Sequence, residues 1–453
     1  MKLRTLCKIY LSLIVLLAFP IALFGQGSGK STSGKPIDSN FNLQNVNGKY
    51  IEMKDFFDPS SPTAGIQEAV DKLKPEGGTI FISPGTYKIR KSIFLVSGVY
   101  IVGSGEHSVI ERIDSCIQRP LMSAGRKGDT RIQVNDVSGF FKGGEITIAS
   151  KTFQYWECTN AMVMEINEKS LVIDRPLKRD YLPEDDAAVM NFFPFFTSVN
   201  ADNIRIENLT IHGHMKPGSD FASHFVCSAI HFLRVNNSII DKVTVKHFPS
   251  DGFSVQAGRN VSVTNCISEY NLGNGYHPGS TLIISRWTEN IGRFNGGDGL
   301  FFCFNVQYAT ISDNRFYNNK KNGIGDLGQG GQIGDQMNVV SGNYCYNNNR
   351  SGIECTPGCN NIIVNNVCEN NSLSEPGKWP GIYLKDTHTT IIQGNRCIGS
   401  KESVPGNKPG YGIFLVGKCQ NNTIFGNIFT GFSGGISGSN LDNNSISQNI
   451  SID

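Results

Sequence analysis

The chain has 453 residues, of which 39% are hydrophobic and 18% are charged, and its formal net charge at pH 7 is +2. So small a net charge excludes a general electrostatic attraction to nucleic acid or to an anionic membrane, and an anionic ligand has to be bound by a local group of charges. The chain contains 50 glycines, a content that is not typical of a long α-helical protein.

The N-terminal segment 1–25 has the layout of a secretory signal peptide. Lys2, Arg4 and Lys8 precede an apolar run from Ile9 to Phe24, and small and polar residues follow. The run is short for a membrane span. We therefore expect a cleaved signal over 1–25, a flexible leader over 26–49, and a secreted or periplasmic mature protein that does not contact the membrane.

Residues 50–123 are predicted to hold a cap helix and the first coils of an elongated β-structure. Ala64–Leu73 (AGIQEAVDKL) has the spacing of an amphipathic helix. Two strand-like segments follow, GGTIFISPGTYKI from Gly77 and SGVYIVGSG from Ser97. A helix before such strands would cover the open end of their stack and prevent edge-to-edge association.

Residues 124–192 interrupt this pattern, and we interpret them as a small inserted β subdomain. They include the segments GDTRIQVNDVSGFFKGGEITIAS and LVIDRPL, which favour short strands. Coil-like segments resume at Asn203, so residues 193–453 are assigned to the main coils.

An internal repeat runs through these main coils. A small residue followed by an apolar one recurs at nearly regular intervals along the chain. The pairs are Ala229-Ile230, Gly252-Phe253, Gly275-Tyr276, Gly299-Leu300, Gly323-Ile324, Gly352-Ile353, Gly381-Ile382, Gly412-Ile413 and Gly435-Ile436. An Asn also recurs, at Asn290, Asn314, Asn343, Asn366, Asn395 and Asn427.

A repeat of this kind predicts a solenoid. Each unit holds short β-branched runs bounded by Asn and Gly turns, such as Ile362–Val364, and cannot bury a core by itself. Stacked units can, and buried Asn side chains then hydrogen-bond along the stack. Of 12 cysteines, Cys7 lies in the predicted signal, so an odd number remains and full disulfide pairing is excluded. Cys355 and Cys359 (CTPGC) are left as an open candidate bridge.

The order of helix, Gly-Gly, strand, PGTY, strand and GxG, followed by the repeats, resembles the pectate-lyase-like β-helix proteins over most of residues 50–453. The resemblance implies an all-β fold, a right-handed parallel β-helix (solenoid) with an N-terminal cap helix and the small inserted subdomain. It also implies a polysaccharide as the partner.

The register of the repeat predicts which side chains point outward. If the recurring apolar residue points inward, strand alternation turns the next residue outward, and neighbouring coils lie roughly 4.8 Å apart. One candidate cluster is catalytic and the other binds substrate. The catalytic candidates are His231 and His277, with Asp251 and Asp298 at the entering turns, and the substrate-binding candidates are Glu354, Tyr383 and Lys385. By that spacing His277 and Glu354 are about 14 Å apart, which is too far for one proton transfer.

Gly275-Tyr-His-Pro, with Asn295-Gly-Gly-Asp-Gly299 one coil later, is similar to the alginate epimerase and lyase-like branch, although His277 precedes Pro278 and no Asp precedes the pair. The resemblance implies a lyase or C5-epimerase that abstracts the C5 proton of a uronate. It would make His277 the base and Tyr276 the tyrosine. Arg293 or Lys246 would neutralise the carboxylate, and Tyr383 with Lys385 is a second base and acid pair.

Two alternatives stay open. A polygalacturonase-like inverting hydrolase would use Asp251 and Asp298, roughly 9.6 Å apart by coil spacing, against the roughly 6.5–9.5 Å that such a pair needs. A non-catalytic glycan-binding surface protein would line the same face with aromatic and neutral polar groups.

Loops lengthen three successive coils and are predicted to rim this face. Trp379 and Tyr411 sit on or beside them, as candidate stacking surfaces for sugar rings. No cofactor is called for. His212 and His214 could chelate a metal but have no third ligand at a recognisable spacing, and Ca²⁺ binding by carboxylates stays open without a loop motif. We expect a monomer.

Overall fold

The computed structural model describes residues 48–151, 157–216, 218–220, 224–328, 334–399 and 410–452. The predicted signal peptide and almost all of the leader lie outside these residues, and so does the whole of the predicted loop at 400–409. Among the described residues, no helix has the length and apolar character needed to cross a membrane.

The chain winds into a parallel β-helix, as the repeat predicts. Each coil pairs with the next in parallel register, and the recurring apolar residues Ile230, Phe253 and Tyr276 are fully buried and lie one above the other. We call the strands that carry them the first face. Its strands are Ile93–Phe94, Phe196–Asp202, Phe253–Gln256, Tyr276–Gly279, Leu300–Phe301, Ile324–Leu327, Ile353–Cys355, Ile382–Lys385, Tyr411–Val416 and Gly434–Gly438.

Two further faces complete each coil. The second face contains Lys49–Glu52, Gly78–Phe81, Arg259–Thr264, Ile283–Thr288, Gln307–Ser312, Val339–Ser341, Ile362–Val364, Ile391–Gln393, Thr423–Phe425 and Ser445–Ser447. The third face contains Gly85–Ile89, Ile267–Glu269, Ile291–Arg293, Arg315–Tyr317, Tyr344–Tyr346, Val367–Glu369, Arg396–Ile398, Ile428–Thr430 and Ile450–Ile452. Three long strands bend across more than one face: Val99–Arg112, Arg205–His212 and Ile230–Lys246.

Buried asparagines form the ladder between the second and third faces. Asn343, for example, donates from Nδ2 to the Ile311 carbonyl at 2.9 Å, and its Oδ1 accepts the backbone N–H of Asn314 at 3.1 Å. Asn366 repeats this one coil later. Each amide satisfies backbone groups at a turn that is sealed from water, which is why Asn recurs at the coil spacing.

The N-terminal helix is one residue or two shorter at each end than its apolar spacing suggested. It spans Ile66–Lys72, and its Ile66, Ala69 and Val70 belong to the core of the β-helix. The described part of the chain also has short 3-10 turns at Met53–Asp55, Pro183–Asp185, Phe225–Cys227 and Leu441–Asn443.

An antiparallel sheet lies between the early coils and the main coils in sequence. Its strands are Gln118–Pro120, Arg131–Gln133, Glu145–Ala149, Thr159–Asn167, Ser170–Ile173 and Ala188–Met190. It has an apolar core of its own, including Ile132, Ile148 and Leu171. Arg112 joins it to the coils by donating to the Asn191 carbonyl at 2.6 Å.

Cys355 and Cys359 are both free thiols, so the candidate bridge is not formed. Cys355 is instead a fully buried inward residue of the first face, like Cys345, Cys368 and Cys397 elsewhere in the core. Small apolar side chains fit the narrow interior of a coil.

Candidate functional site

Three carboxyl groups meet on the first face, and we call Asp298, Asp326 and Glu354 the carboxyl cluster. Asp298 precedes the strand Leu300–Phe301, while Asp326 and Glu354 lie on the next two strands of the same face. Asp298 is 2% exposed, whereas Asp326 and Glu354 are half-buried. The cluster is therefore within reach of a ligand along the first face.

A gap in the column of side chains makes room for the cluster. Gly325 follows Phe301 in register, and a Cβ on Gly325 would come within 2.6 Å of the Asp298 carboxyl carbon. The Asp298 side chain therefore leans over the Gly325 backbone. Asn322 ties the group together, because its N–H donates to Asp298 at 2.7 Å and its Nδ2 donates to Glu354 at 2.6 Å.

Asp326 enters the cluster through a break in strand register. The pairing of neighbouring coils shifts between Ile324 and Leu327, and Asp326 has a left-handed φ of 55°. An extra residue of this kind turns its side chain away from the ordinary alternation of a strand. Strand alternation alone would not have placed Asp326 beside Glu354.

Burial raises the pKa of all three carboxyl groups, and repulsion between them adds to the rise for Asp326 and Glu354. Desolvation raises the pKa of Glu354 to about 7, and the charges of Asp298 and Asp326 add to the rise. Desolvation with the charge of Asp298 raises the pKa of Asp326 to about 6, and desolvation also raises the pKa of Asp298. One carboxyl can thus carry a proton near neutrality while a neighbour is ionised.

Cations and aromatic rings border the carboxyl cluster. Lys321 and Arg350 act electrostatically on Asp298 and Asp326, and Lys385 acts on Asp326. The Arg350 guanidinium lies 5.2 Å from the centre of the Trp379 ring, and Trp379 meets Tyr383 edge-on at 6.2 Å. This border offers positive charge and ring faces beside groups suited to proton transfer.

The sequence-predicted pair Glu354 and Tyr383 is thus brought together, with Lys385 two residues beyond Tyr383. Glu354 and Tyr383 are register partners on adjacent coils, and desolvation with the charge of Glu354 raises the pKa of Tyr383. Tyr411 lies further along, stacked on Phe414 at 5.4 Å, and Phe414 follows Tyr383 in register.

A second polar group lies earlier on the same face, and we call Asp251, His277 and Cys303 the imidazole cluster. His277 Nδ1 contacts Asp251 Oδ2 at 2.7 Å, and both side chains are 5% exposed. Burial alone would lower the pKa of His277, but the hydrogen bond to Asp251 and the interaction with Cys303 outweigh it and raise that pKa to about 9. His277 is therefore a buried imidazolium near neutrality.

This arrangement argues against His277 as the general base of a uronate reaction. The rings of Phe225 and Phe301 pack on it at 5.4 and 4.9 Å, so it is more enclosed than strand alternation suggested. As an imidazolium near neutrality it also has no free lone pair with which to accept the C5 proton. His231 is 6% exposed and also lies beside Phe225, and burial lowers its pKa to about 4. Because the turn Phe225–Cys227 folds over these strands, an outward direction here does not mean exposure to solvent.

Asp251 and Asp298 do not form a catalytic pair. Both belong to a polar ladder at the turn that enters the first face, with Asn274 between them. Asp251 Oδ1 accepts the Asn274 N–H at 2.6 Å, and Asn274 Oδ1 accepts the Asp298 N–H at 2.8 Å. The remaining oxygen of Asp251 serves His277, whereas Asp298 leans the other way, toward Gly325.

Arg293 and Lys246 lie on the third face, away from the imidazole cluster. Arg293 pairs with Glu269 at 2.6 Å and donates to the Tyr317 hydroxyl at 2.8 Å, and Lys246 is the register partner of Glu269. Lys246 lies seven residues before the inward Phe253, and Arg293 lies seven residues before the inward Leu300. Seven residues are enough for the chain to pass the turn between the third and the first face. The structure therefore does not bring Arg293 or Lys246 to His277.

Tyr276 is an inward core residue and not a catalytic tyrosine. Its ring stacks on Phe253 at 5.0 Å, its hydroxyl donates to the Cys266 carbonyl at 2.7 Å, and its side chain is fully buried. Desolvation raises its pKa well above the ordinary value. The role that the family resemblance implied for Tyr276 is therefore incompatible with its position.

The described residues contain no group of three or more His, Cys, Asp or Glu side chains arranged to hold a metal ion. His212 and His214 do lie together, with ring centres 4.1 Å apart, and His214 Nε2 contacts Glu111 at 3.0 Å. Desolvation, with the charge of His214, lowers the pKa of His212 to about 4.

Two segments of the chain match known family models. Residues 59–275 match the family described as rhamnogalacturonase A/epimerase, pectate lyase-like. Residues 288–451 match the right handed beta helix region. The protein is a pectate lyase-like right-handed β-helix. No curated protein matches it by sequence.

Solved structures share this pectate lyase-like fold at low identity. Two mannuronan C-5 epimerase A-modules of Azotobacter vinelandii are each 16% identical. One covers 89% of this chain and 99% of its own with a TM-score of 0.57, and the other covers 88% and 100% with 0.54. A surface adhesin of Streptococcus pneumoniae is 15% identical over 87% of this chain and 93% of its own, with a TM-score of 0.50. Identities this low show the fold alone.

Sequence reasoning missed four side chains that the pectate lyase-like fold brings to the first face. Asp326, Lys321 and Arg350 join the carboxyl cluster, and Cys303 joins the imidazole cluster. The longer interval of the repeat after Ile324 was an available sign of irregular backbone near Asp326. Strand alternation predicts that the Cys303 side chain points outward, but it does not show which ring the thiol approaches.

Proposed function

We propose that this protein is a polysaccharide-cleaving enzyme that hydrolyses a glycosidic bond at the carboxyl cluster. The observation that supports this most is the meeting of Glu354, whose pKa is raised to about 7, with Asp326 and Asp298 on adjacent coils. Glycoside hydrolysis needs one carboxylic acid to protonate the leaving oxygen and one carboxylate as base or nucleophile.

The roles follow from exposure and charge. Glu354 is the general acid, because its raised pKa keeps it protonated near neutrality. Asp326 is the carboxylate that activates water or attacks the sugar, since it is half-buried and loses its proton at lower pH than Glu354. Asp298 is nearly inaccessible and positions the others, through Asn322 and its own charge.

The substrate proposed is an acidic polysaccharide. Lys321, Arg350 and Lys385 place three cations around the carboxyl cluster, which can pair with carboxylates of uronic acid units. Trp379 and Tyr383 give ring faces for sugars on the side of the later coils. The protein's net charge of +2 leaves this attraction to the local group.

A second candidate is the lyase or C5-epimerase reaction. The pairing of Tyr383 with Glu354 on adjacent coils, with Lys385 two residues beyond, favours it. Proton abstraction at C5 requires a base, an acid and a cation near the uronate carboxylate. In this reaction Tyr383 and Lys385 replace His277, which the structure buries.

Export is part of the proposal. It rests on the basic residues and short apolar run of the segment 1–25, and it agrees with a polymer substrate that a cell meets outside its cytoplasm. N-terminal sequencing of the exported protein is expected to find a new terminus near Gln26. An uncleaved terminus in the exported protein would contradict this expectation.

Products from a panel of polysaccharides distinguish these reactions. The mature protein is incubated with polygalacturonate, alginate and a neutral glucan, and reducing ends and ultraviolet absorbance are followed together. Hydrolysis gives reducing ends without new absorbance, and a lyase gives both because it leaves an unsaturated sugar. Proton NMR of the polymer detects epimerisation.

The panel also tests the non-catalytic alternative. Binding to a polysaccharide without reducing ends, absorbance or a changed NMR spectrum would contradict an enzyme and favour a glycan-binding surface protein. Cleavage of the neutral glucan alone would contradict the role given to Lys321, Arg350 and Lys385.

A further inference from the structure

The imidazole cluster contains a thiol that the proposed glycan reaction does not use. Cys303 follows the strand Leu300–Phe301 and is half-buried. Its N–H donates to the Pro278 carbonyl at 3.0 Å, which places it one coil above the strand of His277. The Ser280 hydroxyl lies 3.5 Å from the Cys303 sulfur.

One atom of His277 is left without a conventional partner. Nδ1 is engaged with Asp251 at 2.7 Å, while Nε2 is buried and makes no hydrogen bond of ordinary geometry. The Cys303 thiol interacts with this same ring. A buried ring nitrogen is costly to leave unpaired, and here it is the atom available for proton exchange with the thiol.

The charges within the cluster favour a thiolate. Burial by itself would raise the pKa of Cys303, but the interaction with His277 outweighs it, and the pKa is lowered from its ordinary value of 9.0. The same interaction contributes to the raised pKa of His277. A cysteine with a low pKa beside an imidazolium, oriented by a carboxylate, is an activated nucleophile.

We propose that Cys303, His277 and Asp251 form a second catalytic centre, in which the Cys303 thiolate cleaves carboxylic esters. Sγ attacks the ester carbonyl carbon, and the bond from that carbon to the alcohol oxygen breaks. The alcohol leaves with the proton from His277 Nε2. Water then attacks the thioester carbon and gives a proton to Nε2, so that the acid is released and the thiolate is regenerated.

The class of substrate follows from where the centre lies. Asp298 and Cys303 stand at opposite ends of one strand of the first face, so the two centres are neighbours along the same surface. The acyl carbons that a polysaccharide bound there carries are those of O-acyl groups and of uronate methyl esters. That the ester is borne by a glycan rests on the proposed function, whereas the ester chemistry does not.

Alkylation tests the activated thiol. The folded mature protein is treated with iodoacetamide between pH 6 and 8.5, and labelling of each cysteine is followed by peptide mass spectrometry. Cys116 is the matched control, because it is the other half-buried thiol among the described cysteines and burial raises its pKa. Cys303 is expected to react at least about tenfold faster than Cys116 at pH 6.5, and its rate is expected to level off at lower pH, which gives a flatter pH profile than that of Cys116.

A Cys303 rate that is no faster than that of Cys116, or that rises steeply through pH 8.5, would overturn the thiolate. His277→Asn is expected to convert the flat profile into the steep one. A flat profile in that variant would remove His277 from the centre. Circular dichroism checks that the variant remains folded.

Ester cleavage tests the reaction. With p-nitrophenyl acetate, the protein is expected to release a burst of one p-nitrophenol per chain, followed by slower turnover. Cys303→Ala is expected to lose both phases, and Cys116→Ala to keep them. Absence of a burst from a protein whose Cys303 alkylates rapidly would overturn the ester chemistry. Because neither probe is a glycan, failure here leaves the carboxyl-cluster proposal standing.

Discussion

The carboxyl cluster and the imidazole cluster are neighbours on one face of the β-helix, but burial has opposite effects on the pKa values of their groups. It raises the pKa of Glu354 and by itself would lower the pKa of His277. Glu354 keeps a proton because desolvation and the charges of Asp298 and Asp326 act together. His277 keeps a proton although desolvation opposes it, because Asp251 lies 2.7 Å away.

The difference shows that burial alone does not decide which groups are charged. A carboxyl beside other carboxylates keeps its proton to a higher pH than usual, whereas an imidazole beside a carboxylate stays cationic to a higher pH than usual. The turn that enters the first face supplies a carboxylate to each cluster, Asp251 to one and Asp298 to the other. Asp251 and Asp298 thus have different roles because Asp251 contacts an imidazole, whereas the Asp298 carboxyl lies over Gly325 beside other carboxyls.

The largest effect is expected from Glu354→Gln, which keeps the shape and removes the acid proton. Glycan cleavage should fall by about 10²- to 10⁴-fold, the usual contribution of a general acid. The initial rate of reducing-end formation measures it. Glu289→Gln, at an exposed turn, is the control and should leave the rate unchanged. A rate loss below about tenfold would exclude Glu354 as the acid.

Asp251→Asn should reverse the shift of His277. Without the carboxylate, only the interaction with Cys303 opposes desolvation, and the pKa of His277 is expected to fall from about 9. NMR titration of the imidazole ring measures it, with Asp313→Asn as a control at an exposed turn. If the pKa of His277 stayed near 9, Asp251 would not be the source of its charge.

Glu354→Gln should also change how stability depends on pH. The folded-state pKa of Glu354, about 7, exceeds its ordinary 4.5, so its contribution to the unfolding free energy is lost as pH rises from about 4.5 to 7. The variant is expected to be more stable than the parent by about 2–3 kcal/mol at pH 8, with no such gain at pH 4. Urea denaturation at both pH values measures this, and equal differences would contradict the raised pKa.

A smaller change is expected from Asp298→Asn. The amide still accepts the Asn322 N–H but carries no charge, so the pKa of Glu354 should fall from about 7. The alkaline limb of the pH profile of glycan cleavage should move to lower pH by the same amount. An unmoved limb would show that Asp298 does not act on Glu354.

Much of the fold was predictable because the repeat forces it. A repeat unit made of short strands cannot bury its own core and must stack, and the recurring Ile, Phe and Gly positions specify which side chains face inward. The Asn ladder was predictable too, because a buried turn needs side-chain hydrogen bonds at every coil. The pairing of Glu354 with Tyr383 followed from the same register.

The candidate site was less predictable where the regular pattern fails. Phe225 comes from a turn outside the repeats and covers His231 and His277. Asp326 reaches Glu354 only because a left-handed residue shifts the strand register. Neither feature has a period, and so spacing does not show which side chain each of them brings to the site.

The sequence by itself determined the stacked coils, their inward residues and the face on which polar groups collect. Positions that are buried once in every coil must be apolar, so apolar residues recur in the sequence at the coil spacing. Only the tertiary structure decided which of those polar groups meet, which are covered, and which hold a proton. Those outcomes depend on contacts between coils, on one irregular strand and on a covering turn, and electrostatic interactions change steeply over the few ångströms that such contacts control.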